Sequence, residues 1–472
     1  MISENTKVFI EKNFENSKKK EAFKRAEQLL SRGITDESLI ISLLQNEKKA
    51  PKRLSAEMYD KMNYMCRRWM DRMCRFEINY DAVIDKNILK QVIICLIESA
   101  PVLHSKFVDN HINPYWKVCD YHVDDIFSVV KTDDIERDAG KFMLQEISFK
   151  NNVQMKIGLF TDDTRCRLCF VFNHMCMDGG SLKIFLNNMF AGYEEYKEKG
   201  TISIFNQNGT RKYTRVYDDF SKEDKKEAKK QFSAVSVKDK HSLPFSPEKE
   251  NNTKMFIKKR ISKEIFEPAL TEAKKYGATA NDLISAAYIR AFYEISGCNK
   301  NEQVALSCAI DLRRHMKDIS DTGYTNHTAF FPCVVPSAGN TMADTLKAVV
   351  ESTKESKKDK FIGLHGIPLL NIGYSTMVYA QAELVVSLLY NNANLAISNV
   401  GRLGNDIFMF DGNTPTEIYV GGGAKSKPTS LLNVLSHKGN LSLAMCIVGN
   451  EKDKKMIENF FHIIESNLKN LT

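Results

Sequence analysis

The residues best placed to do chemistry lie in Phe170-Val171-Phe172-Asn173-His174-Met175-Cys176-Met177-Asp178-Gly179-Gly180-Ser181. An imidazole at the end of an apolar run can accept the proton of an alcohol or amine as that group attacks a thioester. Alternation along a strand puts His174 on the face of Leu168, Phe170 and Phe172, the face expected to be buried, and turns Asn173 the other way. Asp178 reads as scaffold: an ionised carboxylate in a tight loop needs partners, and a bidentate arginine would fix the loop that aims His174. Gly179 and Gly180 permit a sharp turn, and Ser181 opens a helix.

The elements that must position this loop are legible on both sides of it. Val153 to Phe160 and Arg165 to Phe172 form a hairpin around Thr161-Asp162-Asp163-Thr164, and Leu182, Phe185, Leu186, Met189 and Phe190 recur at helical spacing. Upstream, Met58, Met62, Met65, Trp69, Met70 and Met73 recur at near-helical spacing, and Phe76 to Tyr80 reads as a strand. Asp85 caps a helix carrying Ile88, Leu89, Val92, Ile93, Leu96 and Ile97, which ends before Pro101.

The chain has 472 residues, more than one ordinary core accommodates, so two lobes are expected. The expected division is 1–54, a helical extension; 55–215, a first lobe carrying the histidine loop; 216–254, a charged linker rich in Lys, Glu and Pro; and 255–472, a second lobe. In the second lobe, Met255 to Ile261 and Val304 to Leu312 read as strands, as do the runs at Leu395, Ile418 to Gly423 and Thr429 to Val448. Helices are expected over Ile265 to Tyr276, Thr279 to Phe292 and Lys455 to Leu468. Such alternation gives an α/β fold of mixed sheets covered by helices.

Asn173-His174-x-x-x-Asp178-Gly179 resembles the HHxxxDG motif of the chloramphenicol-acetyltransferase-like superfamily, which includes condensation domains of peptide synthetases and alcohol acyltransferases. The likeness runs through Pro101-Val102-Leu103, Asn281-Asp282, Asp311-Leu312-Arg313 and Ser398-Asn399-Val400-Gly401. It implies two chloramphenicol-acetyltransferase-like lobes in a V with a tunnel between them, His174 as general base, and Asp178 and Gly179 as structural support. By the same likeness Arg313 is the partner of Asp178, while Ser398 and Asn399 either donate to the developing oxyanion or line the tunnel. One departure stands out: Asn173 occupies the place of the motif's first histidine and is expected to supply a supporting hydrogen bond.

The resemblance implies transfer of an acyl group from acyl-CoA, or from a phosphopantetheine thioester on an acyl or peptidyl carrier protein, to a small alcohol or amine. No permanently bound cofactor and no metal are expected. Two alternatives remain open: a stand-alone condensation enzyme forming an amide, and an inactive homologue that binds a thioester or a partner. A formal charge of +8, from 67 Lys+Arg against 59 Asp+Glu, comes from interleaved charges and does not suggest nucleic-acid binding. No apolar run is long enough to span a membrane, and the chain does not open on a leader-like segment, so a cytoplasmic protein with its 11 cysteines reduced is expected. Cys166 and Cys169 lie in a strand and do not suggest zinc; Asn208, Asn251, Asn326 and Asn440 head sequons without meaning in such a protein. His315 and His327 are expected at the surface or the tunnel mouth, and Gly421-Gly422-Gly423-Ala424-Lys425-Ser426 as a turn at a strand end.

Overall fold

A computed structural model describes residues 1–45, 51–68, 71–110, 112–203, 209–233, 239–248, 250–320, 322–378, 381–385, 393–404 and 408–472. Trp69, Met70 and Asn208 lie outside these residues. Two mixed sheets form the body, with a small third sheet of Arg53–Ser55, Tyr115–Val118 and Ser105–Val108.

The first sheet runs Glu417–Gly421, Met73–Tyr80, Cys166–Asn173, Met155–Thr161, Phe127–Lys131. Its centre is the hairpin expected from the turn residues at 161–164, paired from Met155↔Phe172 to Thr161↔Cys166. Both faces of the strand Cys166–Asn173 are buried. Leu168, Phe170 and Phe172 face the helices Lys86–Glu98 and Gly179–Lys199, while Cys169 and Val171 pack on the helix Ile135–Met143.

The second sheet runs Thr328–Val335, Val304–Asp311, Leu395–Leu403, Ser430–His437, Asn440–Gly449, Lys425–Ser426, with Thr253–Ile261 also pairing with Asn440–Gly449. The helices Lys263–Lys274, Ala280–Ser296, Met342–Lys358 and Glu451–Lys469 share its core. Capping follows from sequence: Thr279 with Asp282, Thr341 with Asp344 and Asn450 with Asp453 each form a reciprocal box at a helix start.

One expectation changes. The run from Ile418, expected in a second-lobe sheet, pairs antiparallel with Met73–Tyr80 from Glu417↔Asn79 to Gly421↔Arg75. The chain that leads to it buries Leu403, Phe408 and Phe410 in the first core, and Tyr80 Oη donates to the Phe408 carbonyl at 2.8 Å. Alternating apolar residues specify a half-buried strand but not which sheet receives it. The segment expected as a charged linker is mostly exposed or half-buried where it is described, with a few residues anchored in the core. Val216 and Ala228 are buried with Met58, Tyr59, Leu312 and Phe361, residues of both halves of the chain.

The first 45 residues form the helices Glu4–Asn13, Asn16–Ser31 and Glu37–Gln45, whose Ile10, Ala26, Leu29 and Leu39 are buried in the first core. Arg25 and Arg32 close on Glu98 beneath them.

Candidate active site

The strand Cys166–Asn173 ends one residue before His174, and residues 174–176 form a turn. This corrects the expected alternation. Asn173 is the fully buried residue, and His174 is only partly so. Asn173 uses both ends of its amide: Nδ2 donates to Gln154 Oε1 at 3.0 Å, and Oδ1 accepts the Met175 N–H at 3.1 Å. Gln154 is itself buried and donates to the carbonyls of Ser105 and Asn151. Asn173 therefore braces the turn.

The backbone of His174 is held on both sides. Its N–H donates to the Arg72 carbonyl at 2.7 Å, and its carbonyl accepts from Asn326 Nδ2 at 2.7 Å. The Nδ1 atom of its ring is buried and makes no hydrogen bond within the described protein.

Asp178 caps the helix Gly179–Lys199 by accepting the Ser181 N–H at 2.9 Å. Arg313 grips the same carboxylate in a fork, Nη1 to Oδ2 and Nη2 to Oδ1, both at 3.0 Å. The His327 N–H at 2.7 Å and the Thr328 hydroxyl at 3.1 Å complete its shell. Burial would raise the pKa of this carboxyl, but the Arg313 guanidinium, with the hydrogen bonds from Ser181 and His327, holds it well below the usual carboxylate range. Arg313, although burial opposes its charge, is held firmly protonated by Asp178 and Asp311.

This contact explains the second glycine and the serine that follows it. A Cβ on Gly180 would collide with the Arg313 guanidinium and the Asp311 carboxylate, whereas one on Gly179 would meet only Val400, at 3.7 Å. Ser181 Oγ donates to the Thr325 carbonyl at 2.8 Å and accepts from Arg313 Nη2 at 2.8 Å. The motif is thus clamped to the end of the strand Val304–Asp311 and to the start of its antiparallel neighbour, where Thr328 pairs with Asp311.

The strand Leu395–Leu403 reaches the same place. It bulges between Asn399 and Gly401, where Gly401 takes a φ of +87° and donates its N–H to Asn399 Oδ1 at 2.8 Å. The bulge turns the Val400 carbonyl to Lys183 Nζ, on the motif's helix. Asn399 and Val400 are therefore close to the motif, but Ser398 makes no hydrogen bond to His174, Asp178 or Arg313.

Several residues went unrecognised in the sequence. Asn326, noted only as a sequon, holds the His174 carbonyl, and His327 is fully buried rather than at the surface. Neither ring nitrogen of His327 has a protein partner, and burial, reinforced by Arg313, pulls its pKa down to about 4. The polar run Thr325-Asn326-His327-Thr328, leading into the strand that starts opposite Asp311, was the available signal. Arg211 forks onto Asp60 at 3.0 and 3.1 Å, and Trp116 Nε1 donates to the same carboxylate at 2.9 Å. Arg211 also reaches the Cys176 carbonyl at 3.4 Å, beneath the turn. No sequence pattern joins residues so far apart. His315, also expected to be peripheral, is partly buried with Nε2 at 3.0 Å from the Ile362 carbonyl.

The sequence profile of the condensation domain matches residues 73–368, so the chain belongs to the condensation-domain family. Membership supports transferase activity in general. No curated protein matches the chain in sequence. Among solved structures, it is similar to the first condensation domain of the calcium-dependent antibiotic synthetase in complex with a substrate analogue, with a TM-score of 0.65 and 12% identity, over 89% of this chain and 97% of that one. It is similar too to the trichothecene 15-O-acetyltransferase of Fusarium sporotrichioides, with a TM-score of 0.62 and 11% identity, over 90% and 96%. A third is polyketide synthase associated protein 5 from Mycobacterium tuberculosis, with a TM-score of 0.62 and 14% identity, over 88% and 97%. At these identities the likeness establishes the shared two-lobed fold.

Proposed function

We propose that the protein is an acyltransferase that moves an acyl group from a thioester to an alcohol or amine, with His174 as general base. The observation that carries this reading is the clamped turn at His174. Asn173, Arg72 and Asn326 fix its backbone, and the Asp178–Arg313 fork fixes the loop behind it. With Nδ1 enclosed, Nε2 is the nitrogen left to take the proton of the acceptor. The proton moves to the imidazole as the acceptor attacks the thioester carbonyl, and the imidazolium returns it to the departing thiolate. No covalent enzyme intermediate and no metal take part, and positioning in a tunnel between the lobes supplies much of the rate. Asn399, or Ser398 beside it, serves as a donor to the oxyanion or as tunnel lining.

The donor is acyl-CoA or an acyl or peptidyl carrier protein, since both present the same phosphopantetheine thioester. Free-thiol release from a panel of acyl-CoA donors with pooled alcohols and amines tests the reading, and product mass names the acceptor. Turnover with free acyl-CoA supports the acyltransferase and excludes an obligatory carrier. Turnover only with a carrier-bound donor and an amine makes the protein a stand-alone condensation enzyme. No thiol release from either donor type overturns the proposal in favour of an inactive thioester-binding homologue.

A further inference from the structure

The helix Ala280–Ser296 ends at Gly297, and the turn that follows brings Cys298 and Glu302 to the surface ahead of the strand Val304–Asp311. The chain at 239–241, which follows the segment joining the two halves, lies across this turn. There Asp239 Oδ1 accepts from His241 Nδ1 at 2.7 Å, while its other oxygen accepts the Ala305 N–H. His241 Nε2 stands 3.2 Å from Glu302 Oε1, and Cys298 Sγ 3.4 Å from Glu302 Oε2. One ligand atom each from His241, Cys298 and Glu302 lies within 4.8 Å of the others.

The structure assigns a binding site for a zinc-like divalent cation to His241, Cys298 and Glu302, remote from the motif at His174. Bond lengths of about 2.0–2.3 Å separate the ligand atoms of a tetrahedral zinc by about 3.3–3.8 Å. The His241 separation, to Oε1, is just under that range at 3.2 Å, and the Cys298 separation, to Oε2, is inside it at 3.4 Å. The orientation of the imidazole is a second, independent indication. A carboxylate on Nδ1 fixes the proton there and turns the Nε2 lone pair outward, the arrangement that supports a metal-bound histidine. The Phe292 ring, edge-on at 5.8 Å, limits rotation away from it. Nε2 then faces a carboxylate oxygen, and two acceptors at 3.2 Å need a proton or a cation between them. A nitrogen, a sulfur and an oxygen suit zinc over magnesium or calcium, which take oxygen alone. Three protein ligands leave a fourth position to solvent. On binding, the thiol proton of Cys298 passes to solvent, and the cation ties the segment that joins the lobes to the end of the buried helix Ala280–Ser296.

The test uses the untagged full chain, stripped of metal. Zinc titrated against a chromogenic chelator should bind once per chain, at least tenfold more weakly in His241→Ala and in Cys298→Ser, and about tenfold more weakly in Asp239→Asn, the loss typical of an orienting partner. Cobalt in the wild type should show a thiolate-to-metal charge-transfer band, which decides the question even where a variant fails to fold. Absence of that band, or zinc affinity equal within twofold across the folded variants, overturns the proposal. The cluster would then be a hydrogen-bonded one, with His241 set between Asp239 and Glu302.

Discussion

Two buried carboxylates, each held by guanidinium groups, join parts of this molecule, and they differ in what surrounds them. Glu98 ties the N-terminal helices to the first lobe through Arg25 at 2.5 Å, Arg32 at 2.6 Å and the Tyr121 hydroxyl at 2.7 Å. None of these four residues leaves a buried polar side-chain atom without a partner. Asp178 ties the motif to the second sheet with equal completeness, yet its neighbours do not share that satisfaction. Arg313 Nε, Asn326 Oδ1, both ring nitrogens of His327 and His174 Nδ1 are buried without a protein partner. Buried polar groups are mostly paired, so the unpaired ones gathered beside a fully paired carboxylate are what the proposed acyl-transfer site adds to a contact that would otherwise serve stability alone.

The largest effects separate the two carboxylates by function. Arg313→Ala removes the one cation from the buried Asp178 carboxylate and should cost about 3–5 kcal/mol in denaturant unfolding, whereas Arg32→Ala leaves Glu98 with Arg25 and the Tyr121 hydroxyl and should cost about 1–3 kcal/mol. Acyl transfer by the folded fraction should collapse in the Arg313 variant and stay within a few-fold of wild type in the Arg32 variant. Equal losses of activity in both would erase the distinction.

Acid sharpens it, because the two regions titrate in different windows. His327, with a folded pKa near 4 against about 6.5 in the unfolded chain, leaves the unfolded state holding the extra proton between those values. Stability should fall by about 3 kcal/mol as pH drops from about 6.5 to 4, a decline removed in His327→Leu. Glu98 is lowered to about 2: burial opposes its charge, but Arg25 and Arg32 outweigh it. Its contribution is fully present above the unfolded value of about 4.3 and should be lost as pH falls toward 2. Unfolding midpoints across this range, with Glu98→Gln as the second control, resolve the two steps.

A smaller effect lies in Asn173. Asn173→Ala leaves Gln154 Oε1 and the Met175 N–H unpaired in the interior, which should cost about 1–3 kcal/mol by thermal or denaturant unfolding. A change of less than about 0.5 kcal/mol would mean that the amide does not brace the turn.

The strand, loop and helix around His174 were legible because an apolar run, two glycines and a 3.6-residue period meet within thirty residues. The Asp178–Arg313 fork was legible only through the family resemblance, since 135 residues separate its partners. Other features depend on which segments meet after folding. The strand Glu417–Gly421 has the alternation of its neighbours but crosses to the other sheet, and His327 sits in a polar run that reads as surface. Asp60 with Arg211, and His241 with Cys298 and Glu302, are assembled from distant segments, so no spacing rule could mark them.

The central claim is that the imidazole carried by the clamped turn at His174 does the chemistry. Free-thiol release by wild type and His174→Ala, measured with the same donor and acceptor pair, tests it most directly. Loss of a general base should lower turnover by about 10² to 10⁴ while the unfolding midpoint stays near wild type. Turnover by His174→Ala close to that of wild type would contradict the account.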